Sequence, residues 1–371
     1  MQIELDLMRI PARTMLWSGG LFALLCVAVI GSAALGPVRI DPLTVARAAL
    51  NTLAAPTGVS MGFETYSLAG VGIPGPAVDV SYTGIFDFDV SSTEQTIVGD
   101  IRLPRIVLGA VVGFALATAG TVMQGFFRNP MADPSIIGVS TGAAVGAVAV
   151  IAFSLAIPLQ FAAFVTALVT AFGVYLIATE NGRTPVATLL LAGIAVQTFL
   201  GAVISYMLLQ SGESLNEAVI WLMGHLHYSS WSRVEATLPL TLLLFVVLFA
   251  YARDLNVLLL GETDAQTLGI EVERTKQVLL AGATIITAAG VAVAGVIGFV
   301  GLIVPHMMRL VVGPDHRILI PTSALAGATF LVLADTFARI GPAEVPVGIV
   351  TAAVGAPFFL FLLRQREVYA L

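Results

Sequence analysis

Apolar runs of about twenty residues recur along this chain, and they constrain its fold more than any other sequence feature. A helix needs about twenty apolar residues to cross the hydrocarbon core of a membrane. The runs are continuous, whereas the strands of a membrane β-barrel alternate apolar and polar residues. The pattern therefore predicts an all-α polytopic membrane protein with about ten transmembrane helices, near 15–35, 102–127, 136 onward, 158–178, 188–209, 234–252, 277–296, 298–312, 318–338 and 346–363.

The composition excludes several classes of protein. With 58% hydrophobic residues, 11% charged residues and a mean hydropathy of +0.97, the chain has too little polar surface to cover a soluble globule. A net charge of −6 offers no basic patch, so no nucleic-acid partner is expected. Cys26 is the only cysteine, so no disulfide can form within the chain.

We predict a single transmembrane domain over residues 1–371, with one long hydrophilic loop at 36–100. The first apolar run could be a signal peptide, because Ser32-Ala33-Ala34 loosely resembles a cleavage site. Its apolar core is longer than such peptides have, so an uncleaved first helix is expected. A short helix is expected over Pro42–Leu53, whereas 54–90 is left unassigned. Glycines break the run near 295–301, and this break is expected to be covered by protein.

The distribution of lysine and arginine predicts the orientation of the chain. With ten crossings and a cytoplasmic N-terminus, eleven of the seventeen basic residues lie on the cytoplasmic side. This bias follows the positive-inside rule and places both termini in the cytoplasm. The six basic residues on the outer side include Arg102, Arg105 and Arg339, which lie against the trend.

The cytoplasmic segment 253–276 is longer than a connection between two membrane helices requires. We expect a short helix over Leu255–Leu260 that ends at Gly261, then a second helix capped by Thr263 and closed by Gly269. The acidic side chains of Glu262 and Asp264 would lie near the positive end of the second helix. Apolar side chains are left uncovered, and they indicate either a docking element for a cytoplasmic partner or a loop packed on its own bundle. They are Leu258, Leu259, Leu268 and Ile270.

No pattern in the sequence points to bond-breaking chemistry. The motifs HExxH, GxSxG and GxxxxGK[ST] do not occur, so ATP would have to bind another chain and this chain is not expected to be an enzyme. His225 and His227 lack a third metal ligand nearby, and no metal site is predicted. We interpret His306 as a histidine that packs between helices. An intramembrane enzyme would need a paired nucleophile and base, which the sequence does not show.

Five ordered motifs carry a resemblance to a known family. They are RLPR at 102–105, MQGFFRNPMADPSIIGVSTGAA at 123–144, LNVLLLGETDAQTLGI at 255–270, GFVGLIVPHMMRL at 298–310 and VPVGIVTAAVGAPFFLFLL at 345–363. The arrangement closely resembles the FecCD-type permeases of ABC importers, which take up iron-siderophores, haem and cobalamin. The resemblance implies a type II ABC importer fold in a bacterial inner membrane. It also implies a second copy of the chain, two ATP-binding subunits that hold ATP and Mg²⁺, and a periplasmic substrate-binding protein, with no cofactor on this chain itself.

The resemblance also implies roles for particular residues. Arg102, Arg105 and Arg339 match the positions that dock the binding protein. The segment 255–270 matches the ATPase-coupling helices, and its coupling residues are Leu255, Leu258, Leu259, Gly261, Glu262, Ala265, Leu268 and Gly269. Asn129 and Met131 match a turn of the cytoplasmic gate, where the family more often has Leu in place of Met131. The second gate position falls at Val186 and Ala187, although the family's small polar residues are absent there.

The sequence predicts the transported substrate less clearly than it predicts the family. The run MQGFFRNPMADP resembles haem permeases, and His225, His227 and Tyr228 would suit a haem path because imidazole and phenolate ligate iron. Haem is therefore the favoured expectation, with ferric siderophores and cobalamin as alternatives. A stand-alone secondary transporter is the alternative from another class. It would need ion-coupling carboxylates in mid-span, for which Asp335 is the candidate.

Overall fold

A computed structural model describes residues 2–36, 38–68, 71–180, 184–341 and 343–364. The helices are α1 Gln2–Ala34, α2 Pro42–Asn51, α3 Ser92–Thr96, α4 Leu103–Phe126, α5 Val139–Phe153, α6 Leu159–Ala178, α7 Val186–Gln210, α8 Leu215–Leu222, α9 Trp231–Ala250, α10 Ala252–Leu258, α11 Glu262–Thr267, α12 Val272–Ala294, α13 Val300–Val312, α14 His316–Ile340 and α15 Val347–Arg364. Two strands, β1 Ala54–Leu68 and β2 Val71–Gly84, pair with each other. A π-helical turn at Ile97–Arg102 leads into α4.

Ten helices coincide in order with the ten predicted apolar runs. Seven of them are long and apolar enough to cross a membrane, and they belong to α1, α4, α6, α7, α9, α12 and α14. The other three, α5, α13 and α15, are shorter apolar helices. The prediction of an all-α polytopic membrane fold is confirmed, and the β1–β2 hairpin is the exception to it within the described residues.

The connections between these ten helices lie on two opposite faces. One face carries the end of α1, the β1–β2 hairpin, the start of α4, helix α8 and the α14–α15 connection, and we call it the hairpin face. The other carries the α4–α5 turn together with α10 and α11, and we call it the α10–α11 face. Each sequence-predicted site therefore lies at one end of the helix bundle.

Residues 36–100 contain more regular structure than the sequence indicates. The predicted short helix is confirmed as α2, whose first turn is capped by the Asp41 carboxylate, since that carboxylate accepts from the backbone N–H of Leu43. The segment left unassigned by the sequence contains the antiparallel hairpin, which pairs Ala54 with Gly84 at one end and Leu68 with Val71 at the other. Valine, threonine and aromatic residues are frequent in it, as is typical of strands.

Helix α4 lies at the centre of the bundle, and glycines allow its neighbours to approach it closely. In the most apolar 18-residue stretch of α4, 83% of the residues are buried, compared with 11% in the corresponding stretch of α7. A Cβ atom on Gly113 would overlap the carbonyl of Gly327 in α14, and one on Gly120 would overlap the carbonyl of Gly301 in α13. Such backbone contacts provide the van der Waals packing that holds helices together in a membrane.

The glycine-rich break before α13 is packed against protein at Gly295 and Gly301, as expected, whereas Gly298 is exposed. Gly295 has a φ of 72°, and a Cβ atom there would overlap the carbonyl oxygen of Trp221 in α8. The backbone N–H of His225 donates to the carbonyl of Ala294 at 2.7 Å, which satisfies an acceptor at the end of α12. The break thus joins α12 and α13 to the α8–α9 connection on the hairpin face.

Candidate functional site

Asp335 organises the arginines on the hairpin face. It lies in α14 with a side chain that is only 2% exposed. Arg105 of α4 donates from Nη2 to Asp335 Oδ1 at 2.8 Å and from Nε at 3.1 Å. Arg339, one turn further along α14, places its Nε 3.0 Å from Asp335 Oδ2. The single negative charge of this buried carboxylate is therefore shared between two mostly buried guanidinium groups, and a buried charge is stable only when it is paired in this way.

Glu344 is a second carboxylate beside Arg105, in the connection between α14 and α15. It forms an ion pair with Arg105 Nη2, and its other oxygen lies 3.4 Å from Nδ1 of His227. Partial burial tends to raise the pKa of Glu344, but the hydrogen bond and charge of Arg105, together with His227, outweigh it and hold that pKa below its usual value. Arg105 thus bridges a buried carboxylate and a half-exposed one.

Arg102 points into the protein rather than toward solvent. It is 7% exposed, and its guanidinium donates to the backbone carbonyls of Ala33 and Val38, each at 2.5 Å. Arg102 therefore stabilises the C-terminal end of α1, because it binds carbonyl groups at a place where helix carbonyls lack intrahelical partners. The expectation that Arg102 presents its charge to a partner does not fit this burial. Docking through Arg105 and Arg339 stays a prediction, and both are already engaged by Asp335.

The structure brings His225, His227 and Tyr228 together in the connection between α8 and α9. The Tyr228 ring lies 5.7 Å from the His225 ring and 5.2 Å from the His227 ring, in edge-to-face arrangements. Cavities of about 540 Å³ and 290 Å³ share His225, Tyr228 and Ile220 as lining residues. The larger cavity has a polar lining that also includes Gln160, Asn216, Glu217 and Arg233.

His225 is neutral in this setting. Burial lowers its pKa to about 4, and the positive charge of Arg233 acts in the same direction. Its Nδ1 atom is buried and has no hydrogen-bond partner within the described residues. Within the described part of the chain, no group of three or more His, Cys, Asp or Glu side chains could hold a metal ion.

The α10–α11 segment differs in detail from its prediction. The first helix ends at Leu258 rather than Leu260, and Gly261 follows it with a φ of 135°. The second helix begins directly at Glu262 with Gly261 as its N-cap and no side-chain cap, so the assignment of Thr263 as the cap was wrong. Gly269 ends that helix with a φ of 86°, and this part of the prediction is confirmed.

Several predicted coupling residues are buried in the chain's own core. Leu255, Leu258 and Ala265 are at most 4% exposed, so the expectation that Leu258 is left uncovered was wrong. Leu255 packs where α4 and α14 meet, since a Cβ atom on Gly125 would lie 2.9 Å from its Cγ. Among the predicted apolar coupling residues, Leu268 is 63% exposed and Leu259 is half-buried, while Glu262 and Gly269 are also exposed. Leu260, which was not among the predicted coupling residues, is 64% exposed.

Lys276 is a residue of this site that the sequence analysis missed. It lies in the first turn of α12 with its side chain 8% exposed, and its Nζ is 2.7 Å from Glu262 and 3.4 Å from Glu273. It therefore ties the start of α11 to α12. The i, i+3 spacing of Glu273 and Lys276 was the available signal. The shorter contact, with Glu262, joins residues that are far apart in sequence and depends on the tertiary structure.

The predicted gate residues lie around one small cavity and the turn beside it. The cavity of about 300 Å³ is lined by Phe127, Arg128 and Val186, among others, so the turn after α4 faces the start of α7. Asn129 shapes the turn, because its Oδ1 accepts from the backbone N–H of Met131 at 2.9 Å. Ala187 is exposed at the start of α7. The gate role of these residues stays a prediction.

His306 has the packing position expected of it. It is 5% exposed within α13, and both of its ring nitrogens are buried without hydrogen-bond partners. One turn further on, Arg309 donates from Nη1 to Oε1 of Gln124 at 2.9 Å, and this contact links α13 to α4. The sequence analysis did not single out Gln124, which is fully buried.

Comparison with known proteins identifies the family. The FecCD transport family matches residues 24–365 of the chain. The chain belongs to that family. A cobalamin import system permease from Halobacterium salinarum is 58% identical over 97% of this chain and 99% of its own length. A hemin transport system permease from Yersinia pestis is 42% identical over 78% of this chain and 90% of its own.

A solved structure supports the same assignment. It is described as an inward-facing conformation of a metal-chelate type ABC transporter, with a TM-score of 0.74 and 29% identity, and it covers 94% of this chain and 98% of that one. This FecCD protein is thus a multi-pass permease subunit of an ABC-type importer, and the type II importer fold implied by its motifs is confirmed. Subunits of this family are components of transport.

In this FecCD permease we expect Asp335→Asn to destabilise the fold strongly. The substitution would remove the buried negative charge that pairs with Arg105 and Arg339. Removing one partner of a buried ion pair typically costs about 3–5 kcal/mol of folding stability. Thermal unfolding of the purified protein in mild detergent measures the effect. Glu344→Gln is the matched control, because it removes a half-exposed carboxylate and leaves Asp335 in place, and we expect a loss of at most about 1 kcal/mol. Equal losses in the two variants would show that Asp335 does not hold the cluster together.

Proposed function

We propose that this permease carries a corrinoid of the cobalamin class across the membrane. The observation that supports this substrate is the 58% identity to a cobalamin import permease along practically the whole of both chains. The haem expectation derived from the sequence is less well supported, since the hemin permease is 42% identical over a shorter span. The cavity that has Asn216, Glu217 and Gln160 among its lining residues, beside apolar ones such as Leu159 and Trp221, also suits a large ligand that carries amide groups.

We infer the orientation from the distribution of charge. The α10–α11 face carries more of the basic residues than the hairpin face does. The α10–α11 face is therefore cytoplasmic, and the hairpin face is the outer face. Both described ends of the bundle, at α1 and α15, then lie on the cytoplasmic side of the cell membrane. A substrate-binding protein docks on the outer face, and two ATP-binding subunits dock on the inner one.

The proposed mechanism contains no covalent step on this chain. Two copies of the permease enclose the pathway, and ATP hydrolysis on the partner subunits shifts the pair between outward-open and inward-open states. ATP can move that equilibrium only because the two states differ in their contacts with the ATPase. Native mass measurement of the assembled complex should show two permease chains, and a single chain per transporting complex would contradict the pairing.

The alternative of a stand-alone secondary transporter finds no support in the site geometry. Such a transporter needs a carboxylate that can take up and release a coupling ion within the membrane. Asp335 is the acidic candidate that the sequence offers, and it is held by both Arg105 and Arg339. A carboxylate with two guanidinium partners is poorly suited to binding a further cation.

The substrate is tested by uptake into vesicles that contain the permease, its ATPase and its binding protein. We expect ATP-dependent uptake of cyanocobalamin that excess unlabelled cobalamin suppresses and that haem or a ferric hydroxamate does not. Omission of the ATPase should abolish uptake, which separates this proposal from the secondary transporter. Uptake of haem that cobalamin leaves unchanged would overturn the proposed substrate while leaving the importer assignment intact.

We expect ATPase docking to depend on the apolar residues that remain exposed on the α10–α11 face. The double change Leu260→Asp and Leu268→Asp places charge on a surface that a partner would bury, and it should reduce ATPase co-purification and uptake at least tenfold. Gln266→Asp is the matched control, because it adds a negative charge at an exposed position of α11 without removing an apolar side chain. Full retention of the ATPase by the double variant would exclude this surface.

We also propose that the binding protein competes with Glu344 for Arg105. A partner carboxylate can reach Arg105 only if the ion pair between Arg105 and Glu344 opens. Glu344→Gln should therefore strengthen docking up to about fivefold, since exposed pairs contribute about 0–1 kcal/mol, and the gain should fade at 1 M salt. Glu213→Gln removes an exposed acid from the same face and is the control. Affinity that is the same for both variants at every salt concentration would exclude a role for Arg105 in docking.

A further inference from the structure

An apolar groove of about 630 Å³ lies between α1, α2, α4, α9 and α14. Its lining is apolar except for Cys26 and Thr241. The groove is open to the surroundings of the protein, since its lining residues Phe22 in α1 and Leu242 in α9 are 58% and 46% exposed. The volume is in the range of about 300–1,000 Å³ that is typical of small-ligand sites.

The depth of the groove corresponds to one leaflet of a bilayer. The residues of α1 that line it run from Phe22 to Ile30, which places them about 6–18 Å from the end of α1 at Ala34 at 1.5 Å per residue. The residues of α4 that line it begin at Val107, near the start of that helix. Half of the hydrocarbon core is about 15 Å thick. The groove therefore begins below the hairpin face and ends near the membrane midplane.

Helix α2 covers the upper end of the groove at the level of the lipid headgroups. Its Ala46, Ala49 and Leu50 line the groove, while Val45 and Ala48 pack into the protein. Arg47 lies next to Ala46 on the same short helix and is exposed. Among the described residues, Arg47 has no carboxylate within ion-pairing distance. It lies one residue after Ala46 and three before Leu50, both of which line the groove.

We propose that this groove binds one acyl chain of an anionic phospholipid, with the phosphate-bearing headgroup on Arg47. The apolar walls at hydrocarbon depth match an acyl chain, and the cation at headgroup depth matches an anionic lipid. A transmembrane helix from a second copy would need a groove through both leaflets, and this one occupies a single leaflet. The lipid would fill the space between α1 and α4, and so it would hold the first helix against the centre of the bundle.

Native mass spectrometry of the full chain, purified in mild detergent with phosphatidylglycerol or phosphatidylcholine, tests the proposal. We expect one phosphatidylglycerol retained per chain and a preference over phosphatidylcholine of about fivefold, the factor that corresponds to one basic residue near an anionic surface. Arg47→Gln should remove the preference while some lipid is still retained. Retention without any preference in the unaltered protein would show ordinary lipid contact and overturn the proposal.

Two substitutions that fill the groove complete the test. Ala110→Phe fills it from α4, and Ala49→Leu fills it from the surface helix α2, where the risk to folding is smaller. We expect both to lose the retained lipid and the stabilisation that added phosphatidylglycerol provides in thermal unfolding. Val169→Phe, at an exposed position on α6, is the matched control and should retain lipid. Retention of lipid by both groove variants, or loss of the dimer in place of the lipid, would overturn the proposal.

Discussion

Close backbone contact between α4 and its neighbours is the interaction on which the rest of the structure depends. In a membrane, the hydrophobic effect does not drive helices together, because lipid is as apolar as the helix surface. Glycines at Gly113 and Gly120 let the backbones of α14 and α13 reach α4, and van der Waals contact then replaces the missing driving force. The two helices that pack most extensively on α4 are α14 and α12, and in each of them 72% of the most apolar 18-residue stretch is buried.

The central position of α4 also connects the two ends of the molecule. At the hairpin face its Arg105 is held by Asp335, and near the opposite end its Gln124 is held by Arg309. Leu255 of α10 packs beside Gly125 at that same end of α4. Helix α4 is packed along its length and makes side-chain hydrogen bonds to neighbouring helices near both ends. It therefore forms a continuous physical connection between the proposed docking and coupling surfaces. Energetic coupling between the two surfaces requires that α4 and its partners have two arrangements.

Two groups of charges near the ends of the helix bundle form networks of three or more residues. Asp335 holds Arg105 and Arg339, while Lys276 on the other face holds Glu262 and Glu273. A buried charge without a partner costs several kcal/mol, so each such residue fixes the position of its neighbours. The two networks therefore position the surfaces that partner proteins would contact.

The sequence by itself determined the class of fold, the ten membrane helices, the family and the location of the short helix α2. These features depend on local patterns, such as run length, capping residues and motif order, which need no knowledge of distant contacts. Its substrate expectation was weaker, because it relied on one short motif, whereas a relative that matches along practically the whole chain at 58% identity is a cobalamin permease and the hemin permease matches at 42%.

Only the tertiary structure decided which side chains are available at the two proposed sites. Leu258 and Arg102 have exposed neighbours in sequence, but each faces the interior because a distant helix or backbone carbonyl lies beside it. The pairing of Asp335 with Arg105 joins residues that are 230 positions apart. The apolar groove beneath α2 likewise arises from helices that meet only in the folded chain. Such contacts depend on how helices pack, and a local pattern contains no information about packing partners.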